Sequence, residues 1–105
     1  MGNLNINEVG QPIRINFSED ISLSTPTLIL QPEIGQTKEI SDGVTIPSSS
    51  VTLSSGEVLN ANEYLEYYTK DGDLDYIGRW RNKAKLKFSD TDIRQSDFVK
   101  FRVLA

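Results

Sequence analysis

Apolar and polar residues alternate most regularly over residues 79–88, RWRNKAKLKF. Successive side chains of a β-strand point to opposite faces. This segment is therefore predicted to be a strand with a mostly apolar inner face and a cationic outer face. The inner positions are Trp80, Asn82, Ala84, Leu86 and Phe88. The outer positions are Arg79, Arg81, Lys83, Lys85 and Lys87. We expect the inner side chains to lie between two sheets.

Turn-forming residues separate further short strands about every eight to twelve residues, a spacing typical of all-β sandwiches. Strands are predicted over 12–17, 26–32, 36–40, 44–46, 51–53, 63–69 and 97–104. Residues 57–62 fit either one helical turn or a loop, and no amphipathic helix of useful length is present. The sequence predicts one all-β sandwich over residues 12–105, preceded by a flexible, largely polar arm over residues 1–11 that is free to lie over a neighbouring subunit.

Composition argues against catalysis. The 105 residues contain no cysteine and no histidine. The chain therefore lacks disulfides, thiolate nucleophiles and the commonest general base and transition-metal ligand. Without a nucleophile–base pair we expect no enzymatic activity, no catalytic residue, no cofactor and no metal site. The longest apolar run, residues 28–30, is too short to span a bilayer.

Three aspartates at spacing two, Asp71, Asp73 and Asp75, suggest a calcium loop because such spacing wraps oxygens around a cation. A calcium loop of the EF-hand type requires glycine at its sixth position and glutamate at its twelfth. Those positions are Tyr76 and Asn82 here. We therefore interpret the segment as a polar turn.

The turn before the 79–88 strand predicts a corner of the sandwich. Leu74 and Ile77 are expected to close the end of the core, Gly78 to adopt a positive φ, and Trp80 to bury its ring. This corner resembles the one before the sixth strand of immunoglobulin-like domains, through Asp75, Gly78 and Trp80. The resemblance implies an immunoglobulin-like β-sandwich of about seven antiparallel strands.

Three longer stretches extend the resemblance. They are GQPIRINFSEDIS at 10–22, EYLEYYTKDGDLDYIGRWRNKAKLKFSD at 63–90 and SDFVKFRVL at 96–104. Together they resemble small immunoglobulin-like structural proteins of tailed bacteriophages. The resemblance implies a virion component made in the host cytoplasm, such as a capsid decoration, head–tail or baseplate-associated module. Its partners would be major capsid, portal or tail subunits, and it would be present in multiple copies.

The cationic strand offers a candidate contact surface. If it pairs antiparallel with 97–104, Lys100 and Arg102 join the same face and seven of the eleven basic residues lie together on a chain of net charge −4. Such a face suits docking on an acidic protein, contact with nucleic acid, or simple solvation. Nucleic acid is disfavoured because the chain is acidic overall and no aromatic stacking platform lies among the cations. Because neighbouring like charges repel, carboxylates from another strand or from a partner are expected between them.

A cluster of tyrosines supports a second functional hypothesis. Tyr64, Tyr67, Tyr68 and Tyr76 lie close in sequence to Trp80. Aromatic residues exposed in a row across one sheet would suit a carbohydrate- or receptor-binding module. Most aromatic residues of a sandwich instead belong to its core.

Overall fold

The computed structural model describes residues 3–105, which contain ten β-strands and no helix. The predicted all-β class is therefore confirmed, with more strands than the seven expected, because three of them are only two residues long. The strands are β1 (Leu4–Asn5), β2 (Pro12–Asn16), β3 (Thr25–Pro32), β4 (Lys38–Ile40), β5 (Val51–Thr52), β6 (Val58–Leu59), β7 (Tyr64–Tyr68), β8 (Gly78–Ser89), β9 (Asp92–Gln95) and β10 (Val99–Leu104).

Six strands form the larger sheet, in the order β1-β10-β8-β3-β4, with β9 also paired to β8. β8 is the longest strand at 12 residues. One side of β8 pairs with β3, and its other side pairs first with β10 and then with β9. All of these pairs are antiparallel except β1 with β10, which is parallel. β8 is thus the central strand and carries the face that bears the cations.

A separate antiparallel ladder of β2 and β7 packs across the larger sheet. Ile13 and Ile15 of β2 and Leu65 of β7 join Leu28, Trp80 and other side chains of the larger sheet in one buried cluster. Side chains alternate along β2, so that Ile13 and Ile15 are buried and the residues between and beside them are more exposed. The core therefore lies between the two ladders.

The predicted alternation of β8 is confirmed. Trp80, Asn82, Ala84 and Leu86 are at most 2% exposed, whereas the intervening cations face outward. Phe88 departs from the prediction because it is only partly buried. The Arg94 guanidinium lies 4.4 Å from the centre of its ring, near the end of the sheet.

The corner before β8 has mostly the predicted form. Leu74 is fully buried, and Gly78 adopts a φ of +141° where a Cβ would lie 2.9 Å from the ring of Tyr76. Trp80 stacks on Phe101 and donates from Nε1 to the carbonyl of Tyr76 at 2.9 Å. Ile77 was predicted wrongly as a core residue. It is 54% exposed, because Leu74 and the Tyr76–Trp80 contact already close this end of the core.

Three further segments differ from the sequence-based prediction. Residues 44–46, predicted as a strand, contribute only an isolated bridge between Thr45 and Glu66. A β9 hairpin lies between β8 and β10, so the two cationic strands are neighbours without being consecutive. Residues 57–62 contain the short strand β6 instead of a helical turn.

The N-terminal segment makes backbone contacts with the body of the protein. The amides of Ile6, Asn7 and Gly10 donate to carbonyls of residues 104, 74 and 69 at 2.7–2.8 Å. Leu4 and Ile6 pack on the core. The predicted flexibility of residues 1–11 stays a prediction, and residues 1–2 lie outside the described part of the chain. We assign this segment no docking role.

Candidate docking site

The register of β8 and β10 brings the predicted cations to one face. Arg79 lies opposite Arg102 and Arg81 lies opposite Lys100. The predicted antiparallel pairing of the two strands is therefore confirmed. Because directly opposed residues of an antiparallel pair share a face, these cations lie on one surface. We call this surface the basic face. Its cations are Arg79, Arg81, Lys83, Lys85, Lys87, Lys100 and Arg102.

The basic face has few ion pairs of its own, although Glu39 of β4 shares this face through its register with Ile29. Among residues 3–105, Lys87 is the one of the seven cations with a carboxylate oxygen within 4.0 Å, from Asp90 at 3.1 Å. Arg81 instead donates from Nε to the Gln31 side-chain oxygen at 2.6 Å. The expectation that another strand would place carboxylates between the cations is therefore wrong for six of the seven.

The four other basic residues are all ion-paired. Arg14 pairs with Glu66 at 2.8 Å, Lys38 with Asp75 at 3.0 Å and Lys70 with Asp42 at 3.4 Å. Arg94 pairs with both Asp92 and Glu19. The hydrogen bond and charge of Asp92 raise the pKa of Arg94 against a small opposing effect of burial. Within residues 3–105, every basic side chain outside the basic face is thus ion-paired, whereas on the basic face only Lys87 is.

The middle of the basic face is partly apolar. Ile29 of β3 lies opposite Lys83 in register and is only 8% exposed, although it points away from the core. On the other side of β8, Phe98 lies under the guanidinium of Arg81 at 4.0 Å and the ammonium of Lys83 at 4.6 Å. An apolar centre surrounded by charge is the usual anatomy of a protein interface. Phe98 is 38% exposed, but its ring already lies against two cations, so it is not a free platform for stacking a nucleobase.

Four cations form a compact group at one end of the basic face. Arg79, Arg81, Lys100 and Arg102 are two directly opposed pairs at alternate positions of both strands. We call them the four-cation block. They line an open groove of about 690 Å³, to which Glu33 also contributes. Chemically, this arrangement can hold anionic groups.

The tyrosines do not form a row across one face. Tyr64 and Tyr67 are buried, and Tyr76 packs against Trp80 with 6.4 Å between ring centres. Tyr68 is 49% exposed. Burial, followed by a hydrogen bond to Asp73 and the charges of Asp73 and Asp42, raises the pKa of Tyr67. The tyrosines therefore belong largely to the core.

The aspartates of the polar turn are engaged in local contacts. Asp73 accepts hydrogen bonds from the Tyr67 hydroxyl and from the Lys70 amide. Asp75 pairs with Lys38, whose ammonium also donates to the carbonyls of Gly72 and Asp73. Within residues 3–105, no three acidic side chains come together as metal ligands. These contacts agree with the interpretation of the segment as a turn.

Sequence reasoning missed Ile29, Gln31 and Phe98 as parts of this face. Residues 26–32 are apolar at both parities, so the pattern does not say which side Ile29 faces. Phe98 has the same parity as Lys100 and Arg102 in the predicted 97–104 strand, so the alternation that placed those cations could also have placed Phe98 on this face. For Ile29 and Gln31, strand pairing provides the assignment.

Comparisons with family models, with curated proteins and with solved structures give no match to this chain. Among the described residues no helix is long and apolar enough to cross a membrane.

Proposed function

We propose that this chain is a non-enzymatic structural protein that docks on an acidic surface of a neighbouring subunit through its basic face. The observation that carries the proposal is the difference in ion pairing. All four cations elsewhere have a carboxylate partner, and six of the seven on the basic face have none. A charged partner both orients docking and speeds encounter.

The fold proposed for this function is an immunoglobulin-like β-sandwich. Its support is the single core between the β2–β7 ladder and the larger sheet, together with the corner at Asp75, Gly78 and Trp80. The resemblance of these segments to tailed-bacteriophage proteins supports a virion as the setting. We therefore propose capsid, portal or tail subunits as the neighbours, with many copies of this chain bound per particle.

The apolar centre of the basic face favours a protein partner over the alternatives. Phe98 is 38% exposed and so offers apolar surface in addition to charge, although cations lie over its ring, whereas Ile29 is already buried within the chain. A nucleic acid would need free aromatic faces, and the ring of Phe98 already lies against two cations. A carbohydrate face would need a row of exposed aromatics, and Tyr64 and Tyr67 are buried.

Co-sedimentation with empty capsids or with tails tests the proposal. The test variant, K85Q/K100Q, removes two unpaired cations from the basic face. Its matched control, K70Q/R94Q, removes two exposed cations that have partners within the chain. We expect the test variant to weaken association at least about tenfold and the control less than about threefold at low salt. Absence of association with both particles, or equal losses in the two variants, would reject the proposal.

A further inference from the structure

We infer that the four-cation block of Arg79, Arg81, Lys100 and Arg102 binds a compact ligand that carries tetrahedral oxyanion groups, namely a small phosphate compound free in solution. This inference goes beyond the proposed function because it concerns a small ligand, whose binding does not require a protein partner. It rests on the register of two strands, on the groove above them and on the lack, among residues 3–105, of any carboxylate oxygen within 4.0 Å of the four cations, although Glu33 also lines the groove.

The block concentrates positive charge that the fold leaves uncompensated. Opposed side chains of an antiparallel pair have Cβ atoms about 5 Å apart, and like charges in that arrangement repel. Arg79 faces Arg102 and Arg81 faces Lys100, so the repulsion occurs twice in adjacent pairs. Within residues 3–105 no carboxylate oxygen lies within 4.0 Å of any of the four. An anion between them would replace repulsion with attraction.

The geometry favours a tetrahedral group over a planar one. Same-face neighbours along a strand are about 7 Å apart, so the four side chains start from the corners of a rectangle of about 5 by 7 Å. Donors can therefore approach a central anion from four directions, with Arg81 contributing its terminal N–H groups because its Nε donates to Gln31. A phosphate group offers several oxygens in different directions, whereas a carboxylate offers two in one plane. Three of the donors are arginines, whose forked N–H groups suit phosphate.

The rest of the basic face lacks this geometry. Lys83 lies between Ile29 and the Phe98 ring, and Lys85 lies opposite Thr27 on one side and Gln95 on the other. An anion there would meet a single row of cations. The variant K83Q/K85Q therefore matches R79Q/R102Q in charge while leaving the block intact.

Calorimetric titration with pyrophosphate and with citrate, at equal ionic strength, tests the inference. We expect the wild type to bind pyrophosphate at least about tenfold more tightly than citrate, because citrate carries only planar carboxylates. We expect R79Q/R102Q to lose at least about tenfold in pyrophosphate affinity and K83Q/K85Q less than about threefold. Arginine side-chain NMR signals of the wild type provide a second readout that needs no variant, and those of the block should shift on titration.

Three results would overturn the inference. Equal affinities for pyrophosphate and citrate would show that the cations attract any anion and do not form a site specific for tetrahedral groups. Equal losses in the two variants would show that the whole face acts as a diffuse field. Tighter binding of a thymidine oligonucleotide than of pyrophosphate, lost equally in both variants, would assign the face to a polymer instead. Retained circular dichroism in both variants excludes unfolding as the cause of any loss.

Discussion

The β2–β7 ladder and the β8–β10 ladder differ in the charges that they place directly opposite each other: opposite charges in the first and like charges in the second. In the first, Arg14 faces Glu66, and the two form an ion pair at 2.8 Å with only 21% and 15% of their side chains exposed. In the second, Arg79 faces Arg102, and Arg81 faces Lys100. Opposed like charges destabilise a sheet. The comparison teaches that the first ladder compensates its opposed charges within the chain, whereas no described carboxylate lies within 4.0 Å of the opposed charges of the second, and this difference is the basis of the docking proposal.

The largest effect on either ladder should come from the core they share. Trp80 is 2% exposed and stacks on Phe101, so Trp80→Ala should lower the free energy of unfolding by about 3–5 kcal/mol. Phe98→Ala, which truncates an aromatic residue of the basic face, should cost less than about 1 kcal/mol. Urea denaturation measures both. Similar costs for the two variants would contradict the assignment of inner and outer faces.

A like charge placed in the first ladder should be costly. Glu66→Lys would put an ammonium opposite Arg14 at a partly buried position. Loss of a fully buried partner costs about 3–5 kcal/mol, so we expect about 2 kcal/mol here. Glu57→Lys makes the same charge change at an exposed site and should cost less than about 0.5 kcal/mol. If both variants unfold at the same urea concentration, the ion pair between Arg14 and Glu66 does not stabilise the β2–β7 ladder, and the contrast between the two ladders fails.

The buried hydroxyl of Tyr67 in β7 donates a hydrogen bond to Asp73, and this contact makes the stability of the fold depend on pH. The folded-state pKa of Tyr67 is raised above its ordinary value of 10.0 by burial first and then by Asp73. As pH rises above 10, the unfolded chain loses this proton before the folded protein does. The associated stability is therefore present below pH 10 and is lost above it.

Tyr67→Phe should remove this alkaline loss while costing about 1 kcal/mol at neutral pH through the missing hydrogen bond. Urea denaturation between pH 8 and pH 11 measures both effects. Tyr68→Phe, which removes a hydroxyl from a side chain that is 49% exposed, provides the matched control. A steeper alkaline slope in the Tyr67 variant would be the opposite of the predicted sign.

The smallest effect is a gain in stability on the basic face. Arg102→Glu converts its like-charge pair with Arg79 into an opposite-charge pair, which should stabilise the chain by about 0.5 kcal/mol at low salt. Since both side chains are exposed, salt should screen most of the gain. Thermal unfolding at two salt concentrations measures it. A loss above about 1 kcal/mol would mean that Arg102 supports the fold.

The alternating segments could be predicted from sequence because burial on one face imposes a period of two. Residues 79–88 and 12–17 follow this rule, and the structure places strands there. β9 could not be predicted, since DIRQ offers Ile93 as its single apolar residue. Ile21 is fully buried within a polar connection, where no periodicity marks it. Such positions depend on tertiary packing instead of local pattern.

The candidate site also has features that the sequence could predict and features that it could not. Its seven cations could be predicted from the parity of two segments. The absence of a described carboxylate partner for six of them could not, because ion pairs such as Arg94 with Glu19 join residues far apart in sequence. The four-cation block likewise depends on a register that the sequence does not specify.

The most direct test of the account is co-sedimentation of the wild-type chain with capsids and with tails over a range of salt concentrations. The account predicts association with one of the two particles at low salt, and a progressive loss as salt screens the basic face. K85Q/K100Q should dissociate at lower salt than K70Q/R94Q. Association that is insensitive to salt and equal in both variants would contradict docking through the basic face.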